Sequence, residues 1–483
     1  MRGPSIPVMT ERTRRWLVLA VCCTSIFLVG LDTTVVNVAL PSIGRDLGLG
    51  IRELEWTVDA YTLVLAGLMI TSGALADRVG RRRIFRLGLV LFALGSAGCA
   101  LAPGLDLLVA ARVVQGVGGS MLSPVALAIV VSVITDPRER AQAIGVWAAV
   151  FGLSMAAGPV LGGALITGLG WRTVFWANLP IIAIVLALTV AYVPESRSAR
   201  PRRLDPPGQA LLILLVGTVV AVLIEGPRRG WWSGWLITAY GIIAVAGLIF
   251  ARVEARRAEP LMDLRLFRRP PFAAAVGGAV VMFVALNVTL LLGTLYLQQV
   301  RGLSPLAAGA VTLPMALAAT VCAPFSGYLV GRVGPRLPLR LAGASTVLGG
   351  ALLIGLGDRT PVAVLLVAYL FVGIGIGFAN APITNTAVSG LPPERSGVAG
   401  GIASTSRQVG AALGIALAGG LVADVGPAGL AAATRPGWVV VAACGAVVLV
   451  VAGLSPTRPG RGAPTARTDA SSEPRPSVAA RPR

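Results

Sequence analysis

The chain contains no histidine and no lysine, and all 41 of its basic residues are arginine. Without histidine it lacks the commonest zinc, haem and general-base ligand. Without lysine it cannot form a phosphate loop ending in Gly-Lys-Ser/Thr, so no ATP site of that kind is possible. Charge is scarce too: Asp, Glu and Arg make up 13% of the residues, where a soluble chain carries about 25%. The five cysteines (Cys22, Cys23, Cys99, Cys322 and Cys444) lie in apolar runs without metal spacing, as small core residues do. What remains is 55% hydrophobic, with a mean hydropathy of +0.81 over 483 residues. Such a chain cannot cover itself with polar surface. It belongs in a bilayer, and a water-soluble enzyme is excluded.

About 20 apolar residues cross a hydrocarbon core of roughly 30 Å. Stretches of that length are expected at 16–40, 56–76, 84–103, 107–132, 141–165, 173–193, 208–226, 235–251, 272–297, 305–330, 339–357, 361–388, 397–423 and 436–454, fourteen in all. The first is too long, and too interrupted by Asp32, for a cleaved signal, and reads as a retained helix. With the N-terminus inside, 31 arginines fall on the cytoplasmic side and eight in external loops. The positive-inside rule therefore puts both termini in the cytoplasm. The net charge of +20 is then a topology signal, and no nucleic-acid partner is needed to explain it. Polar linkers near 195–207 and 252–271 divide the chain. Residues 1–194 form an N-terminal six-helix bundle, 195–271 an inserted helix pair, 272–455 a C-terminal six-helix bundle and 456–483 a disordered tail. Duplicated bundles of this kind are a common transporter plan, with the substrate site between the repeats.

A carboxylate at mid-helix costs about 2.5–3.5 kcal/mol on insertion scales, so each one needs a reason. Asp32 and Asp59 fall at similar depth in the outer half, on neighbouring antiparallel helices, with Thr33 and Asn37 beside the first. Desolvation and mutual repulsion favour their neutral forms. The pair suits either a proton carrier or an electrostatic seat for a cation, while packing and capping roles are the plainer alternatives. Arg112 opens the polar stretch Arg112-Val113-Val114-Gln115-Gly116-Val117-Gly118-Gly119. It either sets when Asp32 releases its proton or snorkels to the surface. Gly158 and Gly162 form a GxxxG face, with Ala148, Gly152 and Ala156 as a second small face on the same helix, and Pro159 weakens that helix locally. Gly410 and Gly414 repeat the device. Gly373, Gly375 and Gly377 lie in an apolar helix with no preceding strand, which excludes a phosphate loop.

Together these motifs resemble the fourteen-helix drug–proton antiporters of the major facilitator superfamily, across residues 10–455. Leu31-Asp32-Thr33-Thr34-Val35-Val36-Asn37 looks like that family's first-helix motif. The loop Gly73-Ala74-Leu75-Ala76-Asp77-Arg78-Val79-Gly80-Arg81 is similar to its loop between helices two and three. The Arg112 stretch resembles its fourth-helix motif, and Gly158-Pro159-Val160-Leu161-Gly162-Gly163 its antiporter motif. Val58-Asp59-Ala60-Tyr61 is similar to the branch that exports quaternary ammonium compounds.

The resemblance implies an all-α fold of two six-helix bundles plus an inserted pair, working by alternating access. It implies proton coupling at Asp32, Asp59 and Arg112, and a cytoplasmic gate at Gly73, Asp77, Arg78, Gly80 and Arg81. Asn37, Gln115, Asn287 and Tyr296 are expected to line the substrate cavity. The loop's counterpart in the second half has Gly331 where the repeat would place Asp. The expected activity is export of lipophilic cationic drugs or antibiotics from the bacterial cytoplasmic membrane by a monomer. The proton gradient drives it, with no cofactor, metal or catalytic residue. A metabolite transporter on the same fold is the alternative, and the helix-five motif counts against it.

Overall fold

The computed structural model describes residues 10–198, 205–257, 260, 264–357, 359–388, 393–423, 425–426 and 429–455. Backbone groups in lipid must all be paired, which leaves helices or closed barrels, and long unbroken apolar runs such as these form helices. Helices are indeed what forms, and no strand occurs among the described residues. The first part comprises α1 (Glu11–Leu47), α2 (Ile51–Val79), α3 (Arg81–Leu101), α4 (Leu105–Val133), α5 (Pro137–Leu169), α6 (Arg172–Trp176) and α7 (Asn178–Tyr192). Next come α8 (Pro206–Arg229) and α9 (Gly234–Arg256). The last part comprises α10 (Pro270–Leu295), α11 (Pro305–Val333), α12 (Arg336–Ile354), α13 (Val362–Val388), α14 (Pro393–Val422), α15 (Leu430–Ala433) and α16 (Arg435–Leu454).

Twelve helices among the described residues are long and apolar enough to cross a membrane, counting α6–α7 and α15–α16 as one each. α5 and α14, at 33 and 30 residues, have the length as well. Twelve of the fourteen expected spans fall on the twelve helices, the sixth on α6–α7, and those expected at 141–165 and 397–423 overlap α5 and α14. The expected tail at 456–483 lies outside the described residues, as do the side chains of Ala148, Gly152 and Ala156.

Local signals explain the boundaries. Asp205, Ser233 and Ser304 each accept a backbone N–H three residues on, capping α8, α9 and α11. Proline opens α8, α10 and α11, where its missing N–H costs nothing. Gly80 (φ 127°) and Gly334 (φ 82°) make the tight connections α2–α3 and α11–α12, a backbone region closed to most side chains. The three expected phosphate-loop mimics are packing glycines: Gly373 and Gly377 admit the backbone of α11, and Gly375 admits α12.

Burial divides the molecule unevenly along its length. At the end where α1 passes to α2, one continuous apolar core joins both six-helix parts, running from Val36 and Ile43 through Phe175 to Tyr296, Tyr369 and Trp438. At the opposite end there are two separate cores. One, around Phe85, Phe92 and Ile129, belongs to the first part, and the other, around Phe272, Ile402 and Val448, to the second. The two bundles are thus fused at the α1–α2 end and separate at the α2–α3 end. α8 lies over the seam between them: its Val220 and Ile224 share a small core with Trp56 and Leu63 of α2 and Ala412 and Ala416 of α14.

Candidate functional site

The densest polar construction in the bundle is built on α1, α3 and α4. Asp32 is 2% exposed and Arg112 not at all. Arg112 Nη1 donates to Asp32 Oδ2 at 2.6 Å, and Gln115 Nε2 donates to Asp32 Oδ1 at 2.9 Å. Both donors come from one turn of α4, so a single helix face holds the whole carboxylate. Arg112 is braced further: Nη1 also reaches Gln115 Oε1 at 2.7 Å, Nε donates to the Thr57 carbonyl at 3.0 Å, and the guanidinium lies over the Tyr61 ring at 4.2 Å. Gln115 passes the network on to Ser96 Oγ at 3.0 Å, which also accepts from Asn178 Nδ2 at 3.3 Å. A charge-assisted pair so enclosed is strong in place, and removing either partner leaves a buried charge uncompensated. Arg112 is therefore enclosed and paired, and is no snorkelling side chain.

Asp59 does not join this cluster. It is fully buried and neither carboxyl oxygen has a hydrogen-bond partner. Its neighbour in kind is Glu55, one turn earlier on α2, 1% exposed and equally unpartnered. The expected pairing of Asp32 with Asp59 is thus replaced by two separate sites. The physical reason is that Tyr61 faces α4, which leaves the Glu55–Asp59 face of α2 to α14.

The Gly-Pro motif of α5 serves two neighbours. A Cβ at Gly158 would strike the Thr34 side chain, and one at Gly162 would lie 2.6 Å from Val35 Cγ2, so both glycines admit α1 just beyond Asp32. Gly163 instead abuts Leu306 at the start of α11, and Gly309 of α11 abuts Pro159. One short stretch of α5 therefore connects the Asp32 helix with the other bundle. Gly410 and Gly414 repeat the first contact in the second half, against Val280 and Val284 of α10. Beside Pro159, a small recess is lined by Thr34, Asn37, Leu290, Thr294 and Thr312 among others.

Of the four residues expected around a substrate cavity, only Asn37 lines this recess. Gln115 is committed to Asp32. Tyr296 donates to the Gly357 carbonyl at 2.7 Å and closes off the end of α10. Asn287 donates to its own helix at Phe283 O, 2.9 Å, close to Gly414.

At the α2–α3 connection, Arg81 Nε and Nη2 both donate to Asp77 Oδ1, at 3.0 and 2.8 Å, and Arg81 Nη1 reaches the Ala128 carbonyl. Gly73 sits 3.7 Å from Pro124 by its would-be Cβ, and Arg78 is exposed. Residues 195–198 lie across this corner. Glu195 accepts from the Arg82 amide at 3.1 Å, the Ser196 carbonyl accepts from the Arg81 amide and the Ser198 amide donates to the Asp77 carbonyl. Sequence reasoning treated Glu195 as linker. Its role is a strap, and an acid placed opposite three consecutive arginines was the available signal. Glu55, Ser96 and Asn178 were also missed. Only Glu55 carried a signal, its four-residue spacing from Asp59.

Comparison with known proteins agrees with this architecture. The family profile described as Major Facilitator Superfamily matches residues 22–415. The chain is 40% identical over 398 residues to the multidrug resistance protein Stp of Mycobacterium tuberculosis, covering 82% of this chain and 74% of the relative. It is 36% identical over 405 residues to the methylenomycin A resistance protein of Streptomyces coelicolor, covering 82% and 83%. Among solved structures, the peptide transporter POT in complex with sulfate superposes with a TM-score of 0.65 at 16% identity, over 92% of this chain and 99% of that one. That last likeness concerns the fold alone. Two bundles fused at one end and parted at the other, an enclosed Asp32–Arg112 pair and these matches lead to one conclusion: the chain is a membrane transporter and belongs to the Major Facilitator Superfamily.

Proposed function

We propose that the protein is a proton-driven antiporter with fourteen crossings, exporting lipophilic, cationic drugs or antibiotics across the bacterial cytoplasmic membrane. The observation that carries the reading is the enclosed Asp32–Arg112–Gln115 cluster. A carboxylate whose only charged hydrogen-bond partner is a buried arginine changes its bonding when it takes a proton. Protonation removes the negative end of the pair, weakens the α1–α4 tie and leaves Arg112 to the Thr57 carbonyl, Gln115 and the Tyr61 ring. Asp32 lies one turn from the residues on which Gly158 and Gly162 pack. A shift of α1 is therefore passed through α5 to α11, across the bundle interface.

Orientation with both termini in the cytoplasm makes the α1–α2 end external. The fused core then closes the outside, and the separate cores mark an inward-facing state. The recess by Asn37 and Pro159 lies between the bundles, on the route a drug would follow. Relatives named for multidrug and antibiotic resistance support efflux as the direction of transport. Expression should lower ethidium accumulation in a sensitive host, and a protonophore should restore it. Efflux that survives the protonophore but stops on ATP depletion would sink the reading.

A further inference from the structure

Glu55 is buried without a hydrogen-bond partner, and its surroundings are unusual. It stands on the α2 face turned to α14, and a Cβ at Gly419 of α14 would fall on its carboxyl group. The missing side chain at 419 is thus a notch filled by a carboxyl. Asp59 lies one turn further along the same face. One more turn brings Leu63, packed in the small core with Ala412 and Ala416 of α14. The two carboxyls therefore sit inside the seam between the bundles, not within either bundle.

The charged groups around them are already engaged. Arg52 donates to Glu53 at 2.7 Å and to Glu225 of α8 at 3.5 Å, and Arg229 donates to the same Glu225 oxygen at 2.9 Å. On the α4 side Arg112 is held by Asp32 of α1. On α14 no charged residue occurs from Gln408 to Val422, and Arg407 lies in the other half of that helix. No hydrogen bond reaches any of the four carboxyl oxygens. A buried carboxyl without a partner is tolerable only in its neutral, protonated form, and two such groups one turn apart repel if both ionise.

We propose that Glu55 and Asp59 form a second proton-binding site, filled as the α2–α14 seam closes and emptied when the seam opens and water reaches them. The site is distinct from Asp32, which is tied to a cation within one bundle. It adds protons to the closing of one face of the transporter, so closure becomes a proton-uptake step. The proposal rests on the alternating-access reading above, but its test requires no drug and no transport.

The test uses the full chain in lipid nanodiscs, with its five native cysteines replaced. Spin labels at Arg45→Cys and Ala432→Cys mark exposed sites on the two bundles at the α1–α2 end. Their distance distribution is recorded from pH 5.5 to 8.5. Because closing takes up protons, the short-distance fraction should be greatest at pH 5.5 and fall at least about threefold by pH 8.5. Glu55→Gln/Asp59→Asn should hold the short distance at every pH, and Asp32→Asn should leave the pH response in place. Gly419→Ala should lower the short-distance fraction at pH 5.5, and Glu55→Ala in the same chain should restore it by vacating the notch. A wild-type distribution that ignores pH would overturn the proposal. So would a response kept in Glu55→Gln/Asp59→Asn and lost in Asp32→Asn, which would leave coupling at Asp32 standing.

Discussion

Asp32 and the Glu55–Asp59 pair are both buried carboxyl sites on neighbouring helices, and they are satisfied in opposite ways. Asp32 has a guanidinium at 2.6 Å and an amide at 2.9 Å, and the cation beneath it is braced by a carbonyl and an aromatic ring. Glu55 and Asp59 have no hydrogen-bond partner at all. The first site lies inside one bundle, with its cation beside it. The second lies between bundles and can be buried only without charge. A site inside one bundle suits relaying a proton's effect through helix packing, while a site in the moving seam suits taking up a proton as that seam closes.

The largest test of this contrast is Arg112→Ala. It strands Asp32 as an unpaired buried acid, and breaking a buried pair costs about 3–5 kcal/mol. Thermal unfolding in nanodiscs should show a loss of that order, with transport abolished. The double variant Asp32→Asn/Arg112→Ala should regain most of the stability and none of the transport. If the double variant is no more stable than the single one, the pair is not what holds α1 to α4.

Asp32→Asn alone should abolish gradient-driven efflux while the protein still reaches the membrane. Its carbonyl still accepts from Arg112, but the buried cation loses its counter-charge, so a stability loss of the same order as for Arg112→Ala is expected. Gly158→Leu comes next, because the new side chain meets Thr34 and Val35. Transport should stop while drug binding, measured by fluorescence titration of the purified protein, is partly retained. Complete loss of binding together with loss of fold would assign the glycine to assembly and not to gating. The mildest change is Tyr296→Phe. Losing its bond to the Gly357 carbonyl should cost about 1 kcal/mol, with wild-type drug resistance in a susceptibility assay. A resistance defect there would return Tyr296 to the substrate path.

The same contrast explains what could be read before any coordinates. Asp32 and Arg112 announce themselves, because a charge in the middle of an apolar run has no ordinary explanation. Gly158 and Gly162 were legible as a close-packing face, since four-residue spacing fixes which glycines share a side. The partner assignment of Asp59 was not legible. Depth along a helix follows from counting residues, but the direction a residue faces depends on which neighbour Tyr61 has claimed. Glu55 stands five residues into α2 and just ahead of the expected span at 56–76, so only its spacing from Asp59 hinted at it. Gly419 is one small residue in a helix rich in Gly and Ala, so nothing marks it as a notch. The choice of which face is closed is a matter of conformational state, and hydropathy does not encode it.

The most direct measurement uses purified protein in proteoliposomes with an imposed pH gradient and no ATP, following ethidium movement and internal pH together. The account predicts that ethidium moves against its own gradient while protons move the opposite way. Both fluxes should vanish in Asp32→Asn, and ethidium accumulation should collapse when a protonophore dissipates the gradient. Ethidium transport by Asp32→Asn at the wild-type rate, or wild-type transport unaffected by the loss of the proton gradient, would contradict it.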